Sequence, residues 1–282
     1  MVVAPAPQQS ISVGDIRLTF LPDGEAYFAP QGMFPGTTED AWLRHSEWLN
    51  EQGRYVTTLG AFLVETGERK IVVDLGFGAN SVEIPDFASA TGGRMLESLR
   101  GAGLAPEQVD TVVYTHMHSD HTGWTSAAGG GLTFANAAHL IGSSAEFDYW
   151  RENPDAAFAP PADTVLDPVQ GRIETAGDGH AVAPGVTLRA TPGHTPGHQS
   201  VVLSSGADRA IIMGDVMHCP AQLLEPDWSV LFDVDAALAR STRDGLLAEL
   251  EGSDTVLGCS HFPDSVFGRV VQATGRRLWR PR

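Results

Sequence analysis

The sequence is poor in cysteine and in basic side chains, and it has no long hydrophobic run. Its two cysteines, Cys219 and Cys259, are too few for a disulfide framework, which favours a reducing cytoplasm and two small buried thiols. Lys and Arg total 18 against 35 Asp and Glu, giving a net charge of −17, and such a chain repels nucleic acid. No stretch approaches the roughly 18 apolar residues of a membrane span. We therefore expect a cytoplasmic protein that binds neither nucleic acid nor membrane.

Both ends of the chain also lack folding signals. Residues 1–10 have no cationic segment followed by an apolar core, so we predict no signal peptide there and expect a disordered lead. The basic cluster at the other end is expected to be a solvated tail: Arg276, Arg277, Arg280 and Arg282. A hydrophobic content of 42% is ample for a packed core, and residues 11–282 are predicted to form a single domain.

Hydrophobic periodicity predicts strands mixed with helices. Strands are expected at 11–20, 55–64 and 71–74, as an antiparallel meander, and later at 186–190, 200–203, 210–213 and 255–259. Helices are expected at 96–104, at 145–150 and from Asp235, the capping residue, to Glu251. Leu238, Leu246, Leu247 and Leu250 are predicted to face the core. Two long connections, 29–53 and the Pro-rich 151–170, are predicted to be lid loops.

Four metal-binding side chains crowd into the stretch Tyr114-Thr-His-Met-His-Ser-Asp-His-Thr-Gly123. They are His116, His118, Asp120 and His121, and they directly follow a predicted buried strand. A strand that ends in a tight loop directs imidazoles and a carboxylate at one point, as a divalent cation requires. A histidine-rich surface tract is the alternative, but such a tract seldom follows a buried strand. The pattern therefore predicts a metal site.

Three later elements carry further ligand types. His194 and His198 lie in the turn Thr191-Pro-Gly-His-Thr-Pro-Gly-His198, Asp215 ends the strand Ile211-Ile-Met-Gly-Asp215, and His261 ends Val256-Leu-Gly-Cys-Ser-His261. Each follows an apolar strand, so the loops can converge on one cleft. We expect His198 to make a structural hydrogen bond.

The order His-x-His-x-Asp-His, Gly-His-Thr-Pro-Gly-His, Gly-Asp and His resembles the metallo-β-lactamase-fold hydrolase superfamily, closest to its quorum-quenching lactonase and methyl parathion hydrolase-like group. The resemblance implies an α/β (α+β) fold, a four-layer αβ/βα sandwich. It also implies two divalent ions, with zinc as the default and manganese, iron or cobalt as alternatives. The resemblance implies that one ion is bound by His116, His118 and His194 and the other by Asp120, His121 and His261. It also implies that Asp215 bridges the two ions.

The expected reaction is hydrolysis of a small neutral lactone or carboxylic ester by a metal-bound hydroxide. Asp120 would orient the hydroxide and pass a proton to the leaving alkoxide. His218 stands where the lactonases commonly have a tyrosine, and it either assists the substrate oxygen or only packs against the loop. An apolar vestibule is expected around the metal site, drawn from Phe28, Phe34, Trp124, Trp228 and Phe232.

Other functions stay open on the sequence alone. The same hydroxide can attack a neutral phosphotriester, and the fold also permits β-lactam hydrolysis. A metal-binding module without turnover is the alternative from outside enzymology, although structural zinc sites are usually closed and Cys-rich. An exposed hydrophobic lid would also allow a homodimer.

Overall fold

The computed structural model describes residues 2–282 and contains two facing β-sheets. The first is built from β1 (Ser10–Val13), β2 (Ile16–Phe28), β3 (Tyr55–Glu65), β4 (Lys70–Val73), β5 (Ser81–Ile84), β6 (Ala88–Thr91), β7 (Thr111–Val113), β8 (Ala138–Ile141) and β9 (Ile173–Thr175). Its strand order is β5-β6-β2-β3-β4-β7-β8-β9, and β1 pairs with β2. The expected antiparallel meander is confirmed in β1 to β4.

The second sheet takes its strands in sequence order. They are β10 (Ala181–Ala183), β11 (Val186–Ala190), β12 (Gln199–Ser205), β13 (Asp208–Ile212), β14 (Val256–Gly258), β15 (Phe267–Ala273) and β16 (Arg276–Pro281). Neighbouring strands are antiparallel except β13 and β14, which run parallel. Two adjacent parallel strands need a long crossover connection, which usually contains a helix.

Helices occupy the connections. They are α1 (Pro30–Met33), α2 (Glu39–Leu43), α3 (Met95–Gly101), α4 (Ser119–Thr122), α5 (Ser144–Glu152), α6 (Asp167–Val169) and α7 (Ala236–Leu250). Short 3₁₀ turns cover Ser46–Trp48, Pro106–Gln108, Gly214–Val216 and Pro220–Leu223, and a π turn covers Ala162–Leu166. Within residues 2–282, no helix has both the length and the apolar character to cross a bilayer.

The alternation of side chains along the strands builds four layers. In β3, Phe62 and Val64 join the core between the two sheets, whereas Leu63 points to the opposite face, under α3 and α5. In β12, Val201 faces the same inner core, and Val202 packs outward beneath α7. The predicted αβ/βα sandwich is confirmed. Cys219 and Cys259 are buried free thiols, as expected.

The long helix shows one correct and one wrong expectation. The Asp235 side chain caps α7 by accepting a hydrogen bond from the Leu238 backbone N–H at 2.9 Å, as predicted. Leu238 itself is 43% exposed, so its assignment to the core was wrong. The buried stripe begins one residue later, at Ala239, and a step of one residue rotates a side chain by about 100° around the helix.

The disordered lead expected over residues 1–10 is corrected for its described part, and Met1 lies outside the described residues. Val3 and Ala6 are buried. The Ala6 backbone N–H donates to Thr58 Oγ1 at 2.8 Å, and the Ala4 N–H donates to Asp264 Oδ1 at 3.0 Å. Side chains distant in sequence therefore hold a segment that has no periodic signal of its own.

The two segments expected to be lid loops are partly helical, and each supplies one side chain to the cavity described below, whereas the basic tail is corrected. The segment 29–53 contains α1, α2 and a 3₁₀ turn, with Phe34 and Trp42 buried in an aromatic cluster, so it is a packed helical cover. The segment 151–170 contains helical turns around Val165. Three of the four C-terminal arginines lie on β16, which pairs with β15 and ends the second sheet: Arg276, Arg277 and Arg280.

Candidate metal centre

The proposed ligands lie where strands of both sheets end. His116 follows β7, His194 follows β11, Asp215 follows β13 and His261 follows β14. Gly214 turns the chain just before Asp215, with φ at +57°, and a Cβ there would lie 2.6 Å from His198 Nε2. Only glycine tolerates both this backbone conformation and this close approach. The Gly-Asp pair of the sequence is therefore a steric requirement of the site.

The first group brings three imidazoles together. His116 Nε2 lies 3.0 Å from His118 Nδ1, and His194 Nε2 lies 2.9 Å from the same atom. Thr115 Oγ1 donates its only hydrogen to Asp74 Oδ2 at 2.8 Å. The same oxygen lies 3.0 Å from His116 Nδ1, so it can only accept a hydrogen bond from that nitrogen. His116 therefore carries its hydrogen on Nδ1 and a lone pair on Nε2.

The tautomer of His194 follows in the same way. Its Nδ1–H donates to Asp233 Oδ1 at 2.9 Å, which leaves a lone pair on Nε2 when the ring is neutral. His118 Nδ1 faces the lone pairs of both His116 and His194, and it can carry one hydrogen at most. When His194 is neutral, these three buried nitrogens have at most one hydrogen among them and repel one another unless a cation lies between them. The first group therefore fits a divalent metal ion.

The second group has the same design. His121 Nδ1–H donates to Asp74 Oδ2 at 2.9 Å, and His261 Nδ1–H donates to the Thr58 carbonyl at 3.1 Å. When neutral, both rings present lone pairs on Nε2, and these two atoms are 3.2 Å apart. Asp120 Oδ2 lies 3.8 Å from the first Nε2 and 3.6 Å from the second. Two imidazoles and one carboxylate are a common ligand set for a divalent ion.

Asp215 lies between the two groups. Its Oδ1 is 3.3 Å from His121 Nε2, whereas its Oδ2 is 3.4 Å from His194 Nε2 and 3.1 Å from His261 Nε2. Oδ1 is buried and has no hydrogen-bond partner within the described chain. Burial alone would raise the pKa of this carboxyl, but the surrounding histidines lower it well below the usual value. An ionised carboxylate in this position suits a bridge between two cations.

The proposed histidine ligands differ in the direction in which their pKa is shifted. Burial lowers the pKa of His116 and His118 well below the usual value. Burial also acts on His121 and His194, but hydrogen bonds and charges of Asp215 and other carboxylates outweigh it. They raise the pKa of His121 well above the usual value and that of His194 to about 9. In the absence of metal, protons therefore compete for these last two rings near neutral pH.

Sequence reasoning missed Asp74, which supports both groups. It follows β4 with φ at +63°, a conformation uncommon outside glycine. Its carboxylate accepts hydrogen bonds from the Thr115 backbone N–H at 2.7 Å, from the Thr115 hydroxyl and from His121. An acidic residue at the end of a predicted strand was the available signal. Asp233, which supports His194, lies in an irregular segment and had none.

His198 acts on the site through a hydrogen bond, as expected. Its Nε2 accepts from the Asp215 backbone N–H at 2.9 Å, while its Nδ1–H donates to the Thr191 carbonyl at 2.9 Å. Burial lowers the pKa of His198 to about 3, so the ring stays neutral at neutral pH. The ring thereby holds the backbone of the bridging carboxylate in place.

His218 lies at the edge of the metal centre. Its Nε2 is 3.0 Å from Asp215 Oδ2, and its ring is stacked with that of His261 at 5.5 Å between centroids. Gln222 Oε1 accepts from the His218 backbone N–H at 2.8 Å, and the Tyr55 hydroxyl donates to the His218 carbonyl at 2.6 Å. The loop is therefore held rigidly with the imidazole facing the cavity.

A small cavity opens above the metal centre. Besides His218, Thr57 and several of the proposed ligands, it is lined by a wall of apolar side chains: Phe28, Met33, Leu59, Phe158 and Phe232. Phe158 and Phe232 are in edge-to-face contact with 4.5 Å between centroids. Phe158 was not expected here, because nothing in the Pro-rich stretch around it distinguishes an inward-facing ring.

Three of the predicted vestibule aromatics lie elsewhere, which corrects that part of the expectation. Phe34 is fully buried behind the wall, 5.4 Å from Trp42. Trp228 packs against the same Trp42 ring at 4.6 Å. Trp124 turns away and donates its indole N–H to Asp23 Oδ1 at 2.9 Å. Phe34 and Trp228 therefore belong to an aromatic cluster behind the wall, whereas Trp124 packs against a different core cluster.

Known proteins resemble the chain in sequence and in fold. It is 27% identical over 201 residues to an N-acyl homoserine lactonase of a Bacillus species, and 26% identical over 204 residues to that of Bacillus cereus. Each match covers 66% of this chain and 73% of the relative. The crystal structure of the hydrolase AbOPH of the beta-lactamase superfamily has a TM-score of 0.83 at 26% identity, with 98% of both chains covered.

A second solved structure shares the fold: the dizinc quorum-quenching lactonase AidC, in complex with a product, has a TM-score of 0.84 at 22% identity over 98% of both chains. The sequence model of the metallo-beta-lactamase superfamily matches residues 61–261, which include every proposed metal ligand. The expected family is thereby confirmed. The chain belongs to the metallo-β-lactamase superfamily and is a metal-dependent hydrolase.

Proposed function

We propose that the protein is a single-domain, dinuclear hydrolase that cleaves a lactone or a carboxylic ester. One observation carries the proposal: two groups of converging imidazole lone pairs, joined by Asp215, lie beneath an apolar cavity. Among residues 2–282, no Lys or Arg side chain lines this cavity, which favours a neutral substrate over an anionic one. The names of the N-acyl homoserine lactonase relatives support an ester of the lactone type.

Seven side chains would hold two divalent ions, zinc by default, with manganese, iron or cobalt also compatible with histidine and carboxylate ligands. One ion would be held by His116, His118 and His194. The other would be held by Asp120, His121 and His261, and both would share the carboxylate of Asp215. Bound ions of this kind polarise a carbonyl oxygen and lower the pKa of a bound water molecule to about 7.

Asp120 is placed to move the proton. Its carboxylate lines the cavity and remains 20% exposed, unlike the nearly inaccessible Asp215. When a water oxygen attacks the ester carbonyl carbon, Asp120 holds the proton that water releases. As the bond between the carbonyl carbon and the ester oxygen breaks, the same carboxyl gives that proton to the leaving alkoxide. A lactone then yields an open hydroxy acid.

His218 is placed to assist an oxygen of the substrate. Its imidazole lines the cavity, and its Nε2, although 3.0 Å from Asp215 Oδ2, is not aligned for a hydrogen bond with that oxygen. A hydrogen donated from this ring to the carbonyl oxygen would stabilise the negative charge that develops during attack. The contacts of Gln222 and Tyr55 with its backbone hold the ring in place, and a preorganised donor acts without reorganisation cost.

A neutral phosphotriester is the second candidate substrate. No Lys or Arg is among the residues that line the cavity, and this also suits a phosphotriester, which is an uncharged electrophile. Attack by water on phosphorus would use Asp120 and His218 in the same roles.

A substrate panel tests the proposal. The metal-loaded protein is assayed with lactones, p-nitrophenyl esters, paraoxon and a β-lactam, and its metal content is measured. We expect the highest kcat/KM with a lactone or an ester. His261→Ala should lose metal and activity, whereas His180→Ala, an exposed histidine outside the site, should retain both.

Two other outcomes decide against the proposal. A preference for paraoxon would favour the phosphotriesterase. Two bound ions per chain without turnover of any substrate would favour a non-catalytic metal-binding module.

A further inference from the structure

One polar side chain of the cavity takes no part in the proposed chemistry. Thr57, on β3, lines the cavity and is 1% exposed. Its Oγ1 is buried and has no hydrogen-bond partner in the described part of the chain. Buried hydroxyls are normally hydrogen-bonded, so an isolated one in a cavity wall indicates a missing partner.

The next residue shows what a satisfied threonine looks like in the same strand. Thr58 Oγ1 donates to the Phe262 carbonyl at 2.9 Å and accepts from the Ala6 N–H at 2.8 Å. Successive side chains of a strand point to opposite faces, so Thr57 cannot use these partners. Its cross-strand neighbour on β2 is Ala26, whose side chain offers no polar atom. The fold therefore leaves the Thr57 hydroxyl available to a ligand.

The position along β3 connects the hydroxyl to the site. Tyr55 and Leu59 alternate with Thr57 and share its face of the strand. The Tyr55 hydroxyl holds the His218 carbonyl at 2.6 Å, and Leu59 belongs to the apolar wall. Thr57 thus lies between the support of the proposed donor and the surface that an apolar chain would contact.

We propose that the Thr57 hydroxyl determines specificity by hydrogen-bonding a neutral polar group of the substrate outside the scissile ester. The inference rests on the proposed ester hydrolysis and refines its substrate class: a lactone or ester that carries an amide or hydroxyl group beside an apolar chain. A hydroxyl both donates and accepts, so it can bind either an amide carbonyl or an N–H. Sites built to bind such a group discriminate against analogues that lack it.

Two substrates and three variants test the inference. The substrates are two lactones of equal chain length, one with an amide linking ring and chain and the other with methylene groups in place of the amide. Thr57→Val should lower kcat/KM for the amide lactone roughly 3- to 10-fold, mainly through KM, because one neutral hydrogen bond is lost. It should leave the amide-free lactone within about twofold. Thr57→Ser should retain the wild-type ratio between the two substrates.

Thr133→Val is the matched control, because Thr133 Oγ1 is also buried without a partner but lies outside the cavity. Metal content and Tm are measured for each variant, and Thr57→Ala replaces the valine variant if the latter loses metal. An equal loss on both lactones, or no loss on either, would overturn the role of Thr57 while the hydrolase proposal stands. If the wild-type protein cleaves neither lactone and no other ester, both proposals fail.

Discussion

The metal centre and the apolar wall above it use side chains in opposite ways. In the metal centre, each proposed histidine ligand other than His118 has its second nitrogen bound to a named partner, such as Asp74 for His121 and Asp233 for His194. In the wall, Phe28 and Phe158 both contact Phe232 through ring surfaces, with 5.9 and 4.5 Å between centroids. Directional bonds demand particular atoms at particular places, whereas ring packing accepts other apolar side chains of similar volume.

This difference has a functional consequence. A change in the metal centre should remove ions or leave a buried charge unpaired, and so stop turnover. A change in the wall should alter which substrates fit, and so shift KM and the preference among substrates.

Removal of the bridging carboxylate should have the largest effect. In Asp215→Ala, the imidazoles of both groups lose the one anion that lies between them, and kcat/KM should fall by about 10³-fold, with loss of bound metal. Metal analysis and ester kinetics on the same preparation measure both quantities. The control is Asp254→Ala, whose side chain is 96% exposed. Full turnover by the Asp215 variant would remove the proposed bridge from the mechanism.

Removal of a supporting carboxylate should have a smaller and more selective effect. Asp74→Asn should weaken the ion held by His121 by roughly 10- to 100-fold, whereas Asp233→Asn should similarly weaken the ion held by His194. Competition with a chelator of known affinity measures the two ions separately. Asp74 also supports His116 through Thr115, so Asp233→Asn is the decisive variant. If it weakened the ion held by His121 as strongly as the ion held by His194, the division of the ligands into two groups would be wrong.

Metal binding should release protons. Hydrogen bonds and charges of Asp215 and Asp233 outweigh burial and raise the pKa of His194 to about 9, so the metal-free ring is protonated at pH 7 and must lose its proton to bind. Affinity should therefore rise between pH 7 and pH 9, by at most about tenfold per pH unit for each proton released. Calorimetry in two buffers of different ionisation enthalpy counts these protons. Affinity that is independent of pH over this range would contradict the assignment of His194 as a ligand.

Changes in the wall should be the mildest. Phe232→Leu removes part of a ring that contacts Phe28 and Phe158, and kcat/KM should change by roughly 3- to 10-fold in a way that depends on acyl-chain length. Metal content should stay at the wild-type value. Phe147→Leu, outside the cavity, is the matched control. A loss of turnover as complete as that of Asp215→Ala would show that wall and metal centre are not independent.

The sequence by itself determined the fold family and the seven proposed ligands. Coordination requires nitrogen and carboxylate donors at strand ends, so the residue types are visible in motifs such as His116 to His121 and Gly214-Asp215. The structure brings these donors together across both sheets. The cap of α7 at Asp235 was predictable for the same reason, because it depends on a local directional bond.

Only the tertiary structure decided which aromatic rings face the cavity and what supports the ligands. Phe34 and Trp228 pack behind the wall while Phe158 reaches into it, and the N-terminal segment around Ala6 is held by a strand distant in sequence. Packing is non-directional and is summed over many distant neighbours, so no short motif records its outcome. Whether the Thr57 hydroxyl finds a partner depends on which polar atoms lie on its face of β3, and no sequence motif records that.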